Sequence, residues 1–386
     1  MVEAEFSRGS SSREDSVLEE YVEKNRLQRL SNEYLKPNIG LVYLLTANLF
    51  NSAMVVSTKL LETDQTLEKP ITPLQILVVR MFITYVGTVI YMYWNRSKIE
   101  HVPWGPPEMR KWLILRGCTG FFGVFGMYYS LMYLSVPDAT VITFLGPSIT
   151  GVLAWMVLHE RYTKVEATGA LVSLFGVVMI VRPSFLLGDS TPQNTSDVVE
   201  SNDPQERLVA TLVALLGVLG AANVYIIIRY IGNRAHAIMS VSYFALIACI
   251  VSFLGICTIP SMTFQIPQSR KQWFLFSLIG LSGFFMQLLL TMGIQKERAG
   301  RGAFMSYSQV IYALIWDLLI WHHLPGFWSW CGMFIIIGSA VCVIKHKPQP
   351  ELAVTVDQET SQAIQMQDFE DNDDDDDDDD DQKWDI

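Results

Sequence analysis

Apolar runs of membrane-spanning length recur along most of this chain, and nothing constrains its fold more. A bilayer core of about 30 Å takes about 20 apolar residues per helix. Ten such runs stand at approximately 39–60, 74–94, 112–134, 138–158, 163–182, 208–231, 237–259, 272–294, 301–321 and 327–345. Half of the 386 residues are hydrophobic and only 17% are charged, a balance too apolar for ordinary soluble domains. In lipid every backbone polar group must be satisfied internally, so the runs are expected to be helices. The expected fold class is an all-α membrane protein with ten transmembrane helices.

Lysine and arginine set the orientation. Loops on one side collect Arg96, Lys98, Arg110, Lys111, Arg161, Lys164, Lys296, Arg298 and Arg301, and both chain ends add more. The other side holds Lys69, Arg182, Arg207, Arg270 and Lys271. Both termini are therefore expected in the cytosol. Residues 1–37 mix both charges without an uninterrupted apolar core, so they read as a cytosolic arm rather than a cleaved signal peptide. At the other end, 347–386 form an acidic cytosolic tail with nine consecutive aspartates, expected to be disordered. The last nineteen residues carry a charge of −12, which leaves the rest of the chain, out of a total of −11, close to neutral. The five cysteines fall in apolar stretches without metal-ligand spacing and read as small packing residues.

A polar external loop, 183–207, separates two sets of five runs, 38–182 and 208–346. It carries Asn194-Thr-Ser, a glycosylation acceptor on the external side. A shift of 163 residues superposes Gly120-Phe-Phe on Gly283-Phe-Phe, Thr143 on Ser306, His159 on His322 and Gly169 on Gly332. Each unit has an odd number of spans, so the second must enter the membrane from the opposite face. Two inverted five-helix repeats are expected, the geometry in which transporters build a midplane site and expose it alternately.

Polar residues within the runs mark the site. Ser306, Gln309, Ala313 and Asp317 fall on one helical sector of about 80°. A carboxylate there costs roughly 2.5–3.5 kcal/mol on insertion scales, so that face belongs inside the bundle. In the matching run, Thr140, Thr143, Pro147, Gly151 and Ala154 share a side, and Pro147 removes a helical donor next to the Thr143 carbonyl. That surface reads equally as close helix packing and as cavity lining. Asn48, Asn51, Ser52 and Lys59 share a face of the first run, and Asn223 and Tyr230 one of the sixth. Gln287 offers a hydrogen bond to a ligand or to another helix. Arg80 reads as ligand-binding or structural, while Arg116, near an inside end, reads as structural or as snorkelling to the interface.

With "STKLL" closing the first run, "LQILVVR" in the second and "DATVITFLGPSITGVLAWMVLHERYTKVEATGALVSLFGVVMI" across the fourth and fifth, the chain resembles the drug/metabolite transporter superfamily. The resemblance is to its EamA-type members and to solute carrier 35 relatives, and it covers approximately 38–346. It implies a transporter of a small polar or amphipathic metabolite with a central cavity lined by both halves, in which Lys59, Arg80, Pro147 and Glu160 match the family pattern. The second half departs at His323, which stands where a glutamate opposite Glu160 is expected.

The function expected is transport by alternating access. A non-transporting scaffold that recruits partners through the acidic tail is the alternative. "HERYT" is no zinc-protease motif, since Thr163 replaces the second histidine, and no phosphate-cradling glycine loop stands out. No enzyme activity, cofactor, metal or nucleic acid is expected. The expected partners are a small-molecule substrate and the bilayer, with a second copy of the chain and a basic partner of the tail as further candidates. Plasma, Golgi and vacuolar membranes all remain compatible with the sequence.

Overall fold

The computed structural model describes residues 38–62, 72–131, 133–134, 136–160, 162–181, 204–258, 266–322 and 326–345. The N-terminal arm, the acidic tail, Asn194 and His323 lie outside them. Twelve α-helices occupy the described residues, without a strand among them. They are α1 (Ile39–Glu62), α2 (Pro73–Trp94), α3 (Arg110–Leu131), α4 (Val136–Thr143), α5 (Gly146–Leu158) and α6 (Lys164–Val181). There follow α7 (Pro204–Ile231), α8 (Ala237–Thr258), α9 (Arg270–Lys296), α10 (Ala299–Phe304), α11 (Ser308–Trp321) and α12 (Phe327–Lys345).

Local sequence explains the helix ends. Thr72 caps α2 by accepting from the Gln75 amide, with Pro73 at the first helical position, where a missing donor costs nothing. Ser269 and Gln272 form a reciprocal capping box at the start of α9. His159 and His322 close α5 and α11 in the left-handed region, each at φ 53°, and they stand 163 residues apart.

Eight helical stretches are long and apolar enough to cross a membrane, judged by length and composition among the described residues. Of the ten expected, Phe327–Val343 is apolar but shorter. The other, α3, carries Arg110, Lys111 and Arg116, and its buried guanidinium is held by protein rather than by lipid.

Two expected spans are each broken in two. Asp138–Leu158 divides into α4 and α5 at Phe144–Leu145, immediately before Gly146 and Pro147, the latter being the residue whose missing donor the sequence marks. The sequence reads 301–321 as one continuous helix. Instead, α10 and α11 are joined by a 3₁₀ turn, Met305–Tyr307. The Asn48 amide and the Ser308 hydroxyl both donate to the Met305 carbonyl, at 2.8 Å each, so side chains satisfy an acceptor at the break.

In lipid no hydrophobic force draws helices together, so close packing of small residues must do it. α1 packs chiefly on α9, α2 on α8, and α3 on α7. The α3–α7 contact is backbone on backbone: a Cβ on Gly126 would stand 2.6 Å from Gly217 Cα. Between α6 and α12, a Cβ on Gly176 would meet the Gly332 carbonyl at 2.9 Å, while Ser339 donates to the Gly169 carbonyl. Phe82, Phe122, Phe175, Leu216, Phe253 and Phe334 are more than half exposed, the surface expected of helices that face acyl chains. The cysteines correct an expectation: Cys118, Cys249 and Cys331 are half-buried, but Cys257 and Cys342 are exposed rather than packed inside. The chain divides into two compact units after Cys342; the second contributes only 343–345, the end of α12, to the described residues.

Candidate functional site

The two broken helices meet at their breaks. The Tyr307 ring stacks on Phe144, with centroids 5.8 Å apart, and its hydroxyl donates to the Phe144 carbonyl at 3.2 Å. Asn48 fastens α1 to this crossing, since its amide also reaches the Ser308 hydroxyl at 3.0 Å. Exchanging Asn48 for leucine removes both bonds and leaves the Met305 carbonyl one donor short. The expected loss is about 1–2 kcal/mol, read as a lower melting temperature of the purified protein in detergent. Asn51→Leu, one turn further along α1, is expected to cost less.

Cavities flank the crossing. One of about 300 Å³ lies among α4, α5, α7 and the 3₁₀ turn, and Thr140, Thr143, Pro147, Ser306 and Gln309 line it. A neighbour of about 240 Å³, between α3, α7 and α9, shares Met127, Thr143, Ala221 and Tyr225 with it and adds Arg116 and Gln287. A third, of about 330 Å³, contains Ser52, Lys59 and Asp317 and shares Thr140, Phe144 and Gln309 with the first. The Tyr225 hydroxyl pairs with Ser306 at 3.1 Å, and Trp316 donates to Ser52 at 3.0 Å.

The structure thus brings together Lys59, Thr143, Pro147, Gln287, Ser306, Gln309 and Asp317 along adjoining cavities. Asn48 stands beside them as a fastener. Arg80 does not join them: it is buried, lines none of the three cavities, and packs on α9, where a Cβ at Gly283 would lie 2.9 Å from its Nε. Asn51 lines none of the three either, and Asn223 donates to the Leu219 carbonyl of its own helix. Tyr230 stacks on Trp112 at 4.5 Å. Arg116 does not snorkel; it is 1% exposed, and its Nη2 donates to Gln287 at 2.9 Å.

At the bundle end where α5, α7 and α9 finish, charged side chains lace the helices together. Glu160 accepts from Arg229 Nε at 2.8 Å and from the Ala299 amide, at the start of α10, at 2.9 Å. Arg229 also donates to the Gln295 carbonyl at 3.0 Å, Glu166 pairs with Arg298, and Glu297 pairs with Arg301 at 3.2 Å. Beside this cluster, burial pushes the Tyr162 phenol above its ordinary pKa, and the nearby Glu166 carboxylate adds to the effect. Apart from Glu160, carried by resemblance, sequence reading used only the basic members here, Arg298 and Arg301, and took them as orientation markers. The available signal was the close alternation of both charges in "HERYTKVE" and "QKERAGR".

All-helical architecture with many membrane-length helices around adjoining cavities is that of an integral multi-pass membrane protein. The EamA-like transporter family model matches residues 38–182 and 208–345, and the chain belongs to that family. A probable transport protein of Saccharomyces cerevisiae is 54% identical over 349 residues, 89% of this chain and 98% of that one. An uncharacterized membrane protein of the same yeast is 65% identical over 325 residues, 83% of this chain and 78% of its own. Solute carrier family 35 member G1 of Homo sapiens is 30% identical over 240 residues, 62% of each chain. A solved crystal structure shares the fold, with a TM-score of 0.62 at 14% identity, covering 80% of this chain and 98% of the other.

Proposed function

We propose that this chain carries a small metabolite across its membrane by alternating access, through the adjoining cavities between two five-helix halves of inverted topology. One observation carries the reading: two broken helices, with breaks at Phe144 and Tyr307, 163 residues apart, cross one another beside those cavities. Discontinuous helices at a repeat interface are where transporters bind their cargo. The α6–α12 contacts support the same symmetry, because a shift of 163 takes Gly169 to Gly332 and Gly176 to Ser339, so the contacts Gly169/Ser339 and Gly176/Gly332 exchange. Counting α3 and α12 gives ten spans, and two odd sets require opposite entry. Relatives named as a probable transport protein and as a solute carrier favour the same reading.

The ion-paired end, where α1 begins and α9 finishes, is the cytosolic face in this scheme, with both termini on it. Glu160, Arg229, Glu166 and Arg298 close that face. The cavities run the other way, toward Leu131 and Ala139 and toward Lys59 and Asp317, so the conformation is one approached from the external side. Asp317 and Lys59 form the polar mouth, while Arg80 serves the α2–α9 contact. Purified protein in liposomes, given a broad panel of labelled metabolites, is expected to accumulate at least one solute above protein-free liposomes. Asp317→Asn is expected to cut that rate tenfold or more. Failure to move any solute in either direction counts against transport, and a rate unchanged by Asp317→Asn removes this carboxyl from any essential part.

A further inference from the structure

The cavity between α3, α7 and α9 has one charged group in its wall, the Arg116 guanidinium. That group is 1% exposed, and no carboxylate pairs with it among the described residues. Its Nη2 reaches Gln287, but Nε and Nη1 have no hydrogen-bond partner. The unpartnered Nη1 lies beside Gly120, itself part of the cavity wall, 3.5 Å from where a Cβ at that glycine would stand. The Phe244 ring, 4.3 Å from the guanidinium carbon, supports the cation from one face and supplies no acceptor. A buried cation with open donors is costly, and the cost is lifted when an anion arrives.

Arg80 provides the contrast: it too is buried and its Nε also has no hydrogen-bond partner, but it packs on Gly283 and lines none of the three cavities. Beyond Arg116 and Gln287 the wall is mostly apolar, with Gly123, Met127, Ala221, Val224 and Leu290, and its other polar side chains are Thr143 and Tyr225. One fork of donors at one end and an apolar trough beyond it fit a ligand with a single anionic head and an apolar body.

We infer that this cavity binds an amphipathic organic monoanion, its carboxylate or sulfonate held by Arg116 with Gln287 as the neighbouring polar group. The inference rests on the transport reading for the use of the site, but its binding test stands apart from transport. Purified full-length protein in nonionic detergent is titrated with benzenesulfonate, with neutral benzenesulfonamide and with cationic benzyltrimethylammonium. The sulfonate is expected to bind at least tenfold more tightly than either. Arg116→Gln is expected to abolish that preference and Arg116→Lys to keep part of it. Ala221→Phe, which fills the trough and leaves the charge in place, is expected to abolish sulfonate binding. Equal binding of the amide or the ammonium, no sulfonate binding at millimolar concentration, or a preference that survives Arg116→Gln overturns the assignment. Should Arg116→Gln not be recovered folded, sulfonate affinity unchanged in Ala221→Phe overturns it instead. Uptake of the same probes into liposomes separates the two ideas. Sulfonate-selective binding without uptake of any solute keeps the anion site and sinks transport. Uptake of the ammonium that is indifferent to Arg116→Gln keeps transport and sinks the anion site.

Discussion

Replacing Gly126 by valine is expected to leave almost no folded protein in the membrane, whereas Gly338→Ala is expected to be silent. A Cβ at 126 would stand 2.6 Å from Gly217 Cα and 2.9 Å from the Val213 carbonyl oxygen. Both obstacles are backbone, so no rotamer relieves them and the two helices must separate. Separation would also loosen the next turn, where a Cβ at Gly123 would meet the Ala221 nitrogen at 3.2 Å. Overpacking typically costs about 1–3 kcal/mol, and lipid offers no hydrophobic force to hold the pair while it adjusts. The effect belongs at or beyond the top of that range. Nothing lies within 4 Å of a Cβ at Gly338. Yield and monodispersity on size exclusion read the outcome, and a monodisperse Gly126→Val protein with unchanged melting temperature would contradict the packing described.

Glu160→Ala is expected to open the ion-paired end. The carboxylate holds two elements at once, the Arg229 side chain and the N-terminus of α10 through Ala299. Breaking a buried pair on one side costs about 3–5 kcal/mol. Arg229 keeps 30% of its side chain exposed, so solvent screening lowers the figure to about 2–3 kcal/mol. If only the conformation closed at this end contains the pair, that loss shifts the population toward the opposite conformation by about 30- to 150-fold. A cysteine at Ala154, buried in the same small pocket as Glu160, is expected to react faster with a soluble thiol reagent in Glu160→Ala than in the parent. Restoring an acid by Glu160→Asp is expected to recover part of the protection. Equal reactivity in all three would show that the pair does not hold this end shut.

Eight of the ten expected spans were legible because their signal is length and hydropathy, which one residue more or less does not alter. The break at Phe144 was half legible, since Pro147 announces a missing donor but not where the helix stops. The break at Met305 was not, because position 310 holds valine where the first half has proline, and the satisfying group, Asn48, lies 257 residues away. Of the face that periodicity assembles, Gln309 and Asp317 line one cavity and Gln309 and Ser306 the adjoining one, with Ser306 in the 3₁₀ turn and the rest in α11. Arg116 and Arg80 show the limit most clearly. Each is a cation within an apolar run, and only tertiary packing distinguishes the one that borders a cavity from the one that fills a helix contact.

The account turns on a central cavity that each side of the membrane reaches in turn, and the most direct measurement is the reactivity of a cysteine within it. Thr143 lines two of the cavities beside the helix crossing and is exposed to them. With the five native cysteines replaced, Thr143→Cys in sealed vesicles is treated with a membrane-impermeant thiol reagent from one side and then from the other. The account predicts labelling from both sides, with the external rate higher in the parent and the balance shifted toward the cytosolic side by Glu160→Ala. Labelling from one side alone in both proteins, or from neither, would contradict it.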